Sequence, residues 1–199
     1  MIIEDIILRR ILDSRGNPTV ESEIISTDNG EEFLGRAASP AGASTGTHEA
    51  MAWPNGSVEK GMKFAREKVI PELLGKDPFE QDEFDALLRK IDGTKNFSNL
   101  GGNVAIALSL ACAKSAAEKK NMPLFEYISY LNLHLLTKSG IRVNPAPEEY
   151  SIPAPMANVL GGGAHAVGGT DIQEYLVTAF HNDFSAAIEA NALVHKTVG

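Results

Sequence analysis

Little in this chain points toward nucleic acid, a membrane or an oxidising compartment. It has one cysteine, Cys112, so no internal disulfide can form, and its place in the apolar run Val104–Ala113 reads as core filler. Basic residues are scarce: 18 Lys and Arg stand against 26 Asp and Glu, a formal charge of −8, and no basic run exceeds two residues. That balance excludes binding driven by phosphate charge, so small-molecule or protein partners are expected rather than nucleic acid or membrane. No apolar stretch approaches the roughly 20 residues of a membrane span. The opening Met1-Ile2-Ile3-Glu4-Asp5 puts acids where the basic start of a secretory signal belongs. The expectation is a soluble cytoplasmic protein, on which the sequons at Asn55 and Asn96 are chance matches. What is present is enough to bury a core: 43% of the 199 residues are hydrophobic.

Alternating and β-branched residues predict strands over Ile2–Leu12, Thr19–Ile25 and Glu32–Ala38, with Asp28-Asn29-Gly30 as a hairpin turn. Helices follow. Ser57 caps a first one reaching about Leu74, interrupted near Pro71 and stopped by Gly75. Asp77, Pro78 and Glu80 read as cap, first position and third position of a second helix that ends at Gly93. A third, from Asn103 to about Lys120, is small-residue rich and apolar nearly all round its first turns, which predicts a buried helix approached closely by neighbours. Residues 1–136 thus read as an α+β domain, a three-stranded meander plus helices. Residues 137–150 carry two prolines and no periodicity and read as a linker. In 151–199, strands are expected over Ile152–Leu160 and Ile172–Phe180. A helix follows over 183–198, capped by Asn182 or Asp183, with Phe184, Ala187, Ile188, Val194 and Val198 on one face and Gly199 just past its end. Two strands and one helix cannot cover both faces of the sheet they begin.

Two loops carry chemistry. Gly161-Gly162-Gly163-Ala164-His165-Ala166 runs on to Asp171-Ile172-Gln173-Glu174, placing a histidine and a carboxylate nine residues apart amid glycines. Pro40-Ala41-Gly42-Ala43-Ser44-Thr45-Gly46 follows the third strand and suits a mobile lid that brings Ser44 or Thr45 to a ligand or metal. Taken singly, His165 reads as a hydrogen-bonded loop residue and 40–46 as an ordinary turn; together they point to a site. Residues 161–166 also fit the dinucleotide pattern G-x-G-x-x-A, but that pattern needs a following helix, and here a strand follows. Ser57-Val58-Glu59-Lys60 fits S-x-x-K without its companion motifs.

Asp13-Ser14-Arg15-Gly16-Asn17-Pro18-Thr19-Val20-Glu21, Gly42-Ala43-Ser44-Thr45-Gly46, Asp92-Gly93-Thr94, and Pro155 through Leu160 and His165 to Gln173-Glu174 resemble the enolases, in the same order and spacing along essentially the whole chain. The resemblance is to the archaeal type. The resemblance implies a lyase that dehydrates 2-phosphoglycerate to phosphoenolpyruvate, built as an α+β domain followed by a TIM-like α/β barrel. It implies two Mg²⁺ ions that neutralise the dianion formed when a lysine removes the α-proton. It further implies that Ser44, in the lid Ala41–Gly46, reaches the second Mg²⁺. On the same resemblance His165 and Glu174 would be the catalytic pair that contacts substrate and supports the leaving hydroxyl, Gln173 a neighbouring substrate contact, and Arg9, Arg15 and Glu21 residues near the interface of a homo-oligomer.

The chain departs from the family pattern at Ala41, where serine is usual, at Gly161, where asparagine is usual, and at Ala52-Trp53-Pro54, where Pro54 disfavours helical geometry at Trp53. The family's three metal carboxylates, lysine base, acid glutamate and phosphate-binding arginine have no match here. A barrel needs about 200–250 residues, and residues 151–199 supply only its first elements. The expectation is enolase activity belonging to a larger protein, with these residues inactive alone; the alternative is a noncatalytic enolase-derived interaction module.

Overall fold

In a computed structural model of the chain, residues 1–40, 46–140, 150–163, 166 and 168–198 are described. They form two compact units, Met1–Ala146 and Pro147–Gly199. Among the described residues, no helix is long and apolar enough to cross a membrane.

The first unit opens with an antiparallel meander of β1 (Ile2–Leu12), β2 (Pro18–Asp28) and β3 (Glu31–Ala38), in that spatial order. Asn29 and Gly30, at φ 51° and 83°, make the two-residue turn that matches the twist of the flanking strands. The β1–β2 connection is organised by Asp13, whose Oδ1 accepts the amides of Asn17 at 2.8 Å and Arg15 at 2.9 Å. Those bonds, the Asn17 amide first, hold the Asp13 carboxyl below its ordinary value. Strand β2 runs three residues beyond the predicted Ile25, because Ser26 is buried and has a polar partner.

Ser57 caps the first helix as expected, its Oγ accepting the Lys60 amide at 3.3 Å. The helix has three parts: α1 (Val58–Phe64), a π turn over Ala65–Val69, and α2 (Ile70–Leu73). Pro71 explains the middle part. Its ring would strike the carbonyl four residues back, and the wider turn, closed by the Ile70 amide on the Ala65 carbonyl, relieves that contact. Asp77 does not cap the next helix. Its carboxylate takes the Phe79 amide at 3.0 Å in a local turn that Pro78 suits equally well, and α3 (Gln81–Asp92) begins four residues later, after a Glu80 whose side chain makes no cap.

Helix α4 (Gly102–Lys119) packs across β2 and β3, burying Ala107, Leu108, Ala111 and Ser115. The approach is so close at Gly35 that a Cβ there would lie 1.8 Å from the Ala111 carbonyl oxygen. The Ser115 hydroxyl sits 2.9 Å from Ser26 Oγ and 3.1 Å from the Phe33 carbonyl oxygen, so these two buried hydroxyls partner each other. Along the outer edge of β3, Glu118 accepts the Leu34 amide and Lys114 donates to the Arg36 carbonyl at 2.8 Å, so side chains of α4 occupy groups that another strand would pair. A further helix, α5 (Leu124–Lys138), was absent from the sequence reading. Tyr127 and Leu131, four residues apart, bury its one packed stripe against Ala113, Ala116 and Ala117 of α4. Lys138 at its end reaches Asp82 at 3.0 Å, two residues into the stretch read as linker.

The second unit contains β4 (Met156–Gly161), β5 (Glu174–Thr178) and α6 (Phe184–Val198). Both strands are shorter than predicted. Pro153 and Pro155 have no amide to pair, and past Thr178 the Ala179 amide bonds Asn191 Oδ1 of α6 at 2.9 Å instead of a strand. Asp183 caps α6 through the Ala186 amide at 2.8 Å. Of the expected apolar face only Ala187 is buried, together with Asn191, whose Nδ2 donates to the Pro155 carbonyl at 2.8 Å; Phe184, Ile188, Val194 and Val198 are exposed. Gly199 lies outside the described residues. The strands pair antiparallel, so they are not by themselves the parallel βαβ repeat of an eightfold barrel.

Because backbone rather than a flexible side chain faces Gly35, Gly35→Ala must move α4 off the sheet. Urea denaturation of the variant is expected to show a loss of about 3 kcal/mol, the upper range for overpacking, whereas Gly30→Ala, with open space around it, is expected to lose less.

Candidate functional site

Glu174 opens β5, and the residue paired with it on β4 is Gly161, the first of the three glycines. The Gly162 amide donates to the Gln173 carbonyl at 2.8 Å, and the Gly163 amide donates to the Thr170 carbonyl at 2.7 Å. Thr170 closes the turn by donating its hydroxyl to the Ile172 carbonyl at 3.0 Å. The glycines are required by proximity. A Cβ on Gly162 would lie 2.2 Å from the Ile172 carbonyl oxygen, and one on Gly163 would lie 3.3 Å from Gln173 Cα. The structure therefore brings the start of the glycine segment directly beside Gln173 and Glu174, two exposed polar side chains held by main-chain bonds rather than by burial. Such an end of a strand pair presents a carboxylate and an amide to a ligand while the backbone behind them is fixed.

His165 lies outside the described residues, as do Ser44 and the rest of Ala41–Thr45. Gly46 is described, and its amide donates to Glu49 Oε1 at 2.7 Å. Of the residues linked to an interface, Arg9 faces Glu21 across β1 and β2, with Nη1 3.5 Å from Oε1. Arg15 sits exposed in the Asp13 turn. Sequence reasoning missed the stronger partner, Glu23, which is buried on the same sheet. Arg9 grips its carboxylate with two nitrogens, each at 3.0 Å, and Arg36 adds Nε and Nη2 contacts at 2.8 Å. Arg9 first, and then Arg36, hold the Glu23 carboxyl below its ordinary range. The signal was present: Glu21 and Glu23 are two apart and share a strand face.

The described residues do not fit a resident metal ion. Among them no three His, Cys, Asp or Glu side chains stand together where one could be held.

A three-stranded antiparallel meander backed by a buried small-residue helix, with a glycine-guarded carboxylate at a later strand end, defines the class, and comparison with known families gives it a name. A family described as the enolase N-terminal domain matches residues 3–128. The chain belongs to the enolase family. It is similar to the enolase of Thermoplasma acidophilum, 44% identical over 197 residues, which cover 99% of this chain and 44% of that protein. The enolase of Methanothermobacter thermautotrophicus is 45% identical over 199 residues, covering 99% of this chain and 43% of its own length. That of Bdellovibrio bacteriovorus is 40% identical over 205 residues, covering 98% and 44%. The chain spans less than half the length of the curated relatives it matches.

If close backbone contact is what sets Glu174 beside the glycines, Gly162→Ala should open the β4–β5 connection. The amides of Gly162 and Gly163 are expected to lose hydrogen-exchange protection, and the second unit to lose about 2 kcal/mol, while β1–β3 stay unchanged.

Proposed function

We propose that this chain supplies the N-terminal part of an enolase, the Mg²⁺-dependent lyase that dehydrates 2-phosphoglycerate to phosphoenolpyruvate in the cytoplasm. Residues 1–136 are its α+β domain, 137–150 the linker, and 151–199 the first elements of a barrel that further polypeptide completes. The observation that carries this reading is the pairing of the glycine segment with Gln173-Glu174, in a region that lies beyond the family model but within the stretch matched by the curated enolases. Exposed apolar side chains of the second unit, among them Phe180 at 87% exposure, Met156 and Leu176, support a need for covering polypeptide.

In this reading Glu174 and His165 contact the phosphorylated hydroxy acid and support the leaving hydroxyl, and Gln173 holds the substrate beside them. Mg²⁺, held mainly by the completing polypeptide, would supply positive charge to the substrate when bound. Ser44 is the one donor assigned to it from this chain; the remaining ligands and the lysine base come from the completing polypeptide. Arg9, Arg15 and Glu21 serve a homo-oligomer interface.

The test is a chimaera in which this chain continues into the remainder of the Thermoplasma acidophilum enolase. The chain alone, with Mg²⁺ and 2-phosphoglycerate, is expected to form no phosphoenolpyruvate. The chimaera is expected to turn over, and Glu174→Gln within it to lower kcat on the order of 10²-fold or more. Turnover by the chain alone, or a chimaera indifferent to Glu174→Gln, would overturn the proposal. A folded but inactive chimaera would favour the second reading, a noncatalytic interaction module that uses the same exposed surface.

A further inference from the structure

Strand β4 changes frame partway along β5. Met156, Ala157 and Asn158 pair with Thr178, Val177 and Leu176, but Leu160 and Gly161 pair with Tyr175 and Glu174. Three steps along β4 therefore span two along β5, and Val159 is the extra residue of a bulge. Both ends of the pair are tied. Past Gly161, the Gly162 amide donates to the Gln173 carbonyl at 2.8 Å. Past Met156 the next pair would be Pro155 and Ala179, and the carboxamide of Asn191, 2% exposed, stands between them as a rung. Its Oδ1 accepts the Ala179 amide at 2.9 Å and its Nδ2 donates to the Pro155 carbonyl at 2.8 Å. The two tied frames differ by one residue, so the bulge must take up the difference.

The bulge decides which way Asn158 faces. Side chains alternate along β5, so Glu174, Leu176 and Thr178 share one face, while Tyr175 and Val177 lie half-buried on the other, where α6 packs. Asn158 stands opposite Leu176 and Met156 opposite Thr178, which puts both on the Glu174 face, where Met156 is 66% and Leu176 51% exposed. Without the extra residue, strict alternation back from Gly161 would put Val159 and Ala157 on that face and turn Asn158 toward α6. The bulged strand instead sets Asn158 diagonally from Glu174, a spacing of roughly 7–8 Å between Cα atoms that a long side chain spans. Both side chains are exposed, and among the described residues no hydrogen bond joins them.

We infer that Asn158 is a positioning residue for Glu174: turned onto that face by the β4 bulge, its Nδ2 holds the Glu174 carboxylate once further polypeptide covers the face. This deepens the proposed function and rests on Glu174 serving the site. Glu174 opens β5 at the rim, whereas Asn158 lies level with Leu176, two residues further in, so it meets the carboxylate rather than the ligand. An amide nitrogen has two hydrogens to donate to a carboxylate, and an ionised aspartate in its place has none.

The first experiment needs no variant. In the 199-residue chain, nuclear Overhauser contacts from the Asn158 side chain are expected to reach Leu176 or Glu174; contacts to Ala187 of α6 instead would overturn the inference. The second uses the chimaera that continues into the remainder of an enolase. Because Asn158 is exposed in this chain, its variants keep the fold of the second unit. Asn158→Ala is expected to lower kcat about tenfold with KM nearly unchanged. Asn158→Asp keeps the shape but replaces the donor with a like charge, and is expected to lower kcat further, a penalty that disappears in the Glu174→Gln background. An aspartate no worse than alanine, or a penalty that persists in that background, would overturn the inference. Costly Glu174→Gln beside harmless Asn158→Ala refutes this role alone, whereas an inactive chimaera or a harmless Glu174→Gln removes the site and this role together.

Discussion

The first unit depends on how near α4 can come to the sheet. At Gly35 the helix backbone takes the space any side chain would need, with the Ala111 carbonyl as the contact. Once α4 lies there, the other contacts follow from its sequence. Ala107, Leu108 and Ala111 meet the sheet, Ser115 satisfies buried Ser26, Ala113, Ala116 and Ala117 receive α5, and Lys114 and Glu118 close the edge of β3. A helix with small residues on several faces has little packing energy of its own. It becomes central because it packs closely on both sides, against the sheet in one core cluster and against α5 in another.

The second unit is built on the opposite principle. Its polar clamp is complete: Asn191 joins the end of β5 to the segment before β4, and the glycine turn fixes Gln173 and Glu174 through main-chain bonds. Its apolar surface is not complete, with one side of α6 and much of β4 and β5 exposed. Precise placement of polar groups and exposed apolar surface coexist because hydrogen bonds across a hairpin are local, whereas covering a sheet takes a further packed layer.

What the sequence made legible follows the same division. Strand alternation, the Asn29-Gly30 turn, the Ser57 cap and the buried character of α4 were readable because each depends on neighbours within a few residues. Helix α5 was not, because only Tyr127 and Leu131 of its 15 residues are buried, too sparse a stripe to show a helical period. Asp77 imitated a capping box that Pro78 turned into a local turn. At the site, Gly161–Gly163 and Gln173-Glu174 were legible as neighbours in function, but their pairing across β4 and β5 needed the register. The burial of Glu23, Asp92 and Asn191 was not legible, although Asp92 stands in the Asp92-Gly93-Thr94 motif, because a polar residue declares its burial only through partners further along the chain: Arg36, Leu100 and Pro155. His165 and Ser44 rest on the motif, since they lie outside the described residues.

The central claim is that a self-sufficient unit and an incompletely covered one share this chain. Trp53, the one tryptophan, packs on the core of the first unit and reports that unit alone, while far-ultraviolet circular dichroism reports the helices of both. Urea unfolding followed by both signals tests the claim directly. The account predicts that ellipticity is partly lost at a lower urea concentration than the change in Trp53 fluorescence. Two coincident transitions, with one midpoint and one slope, would contradict it.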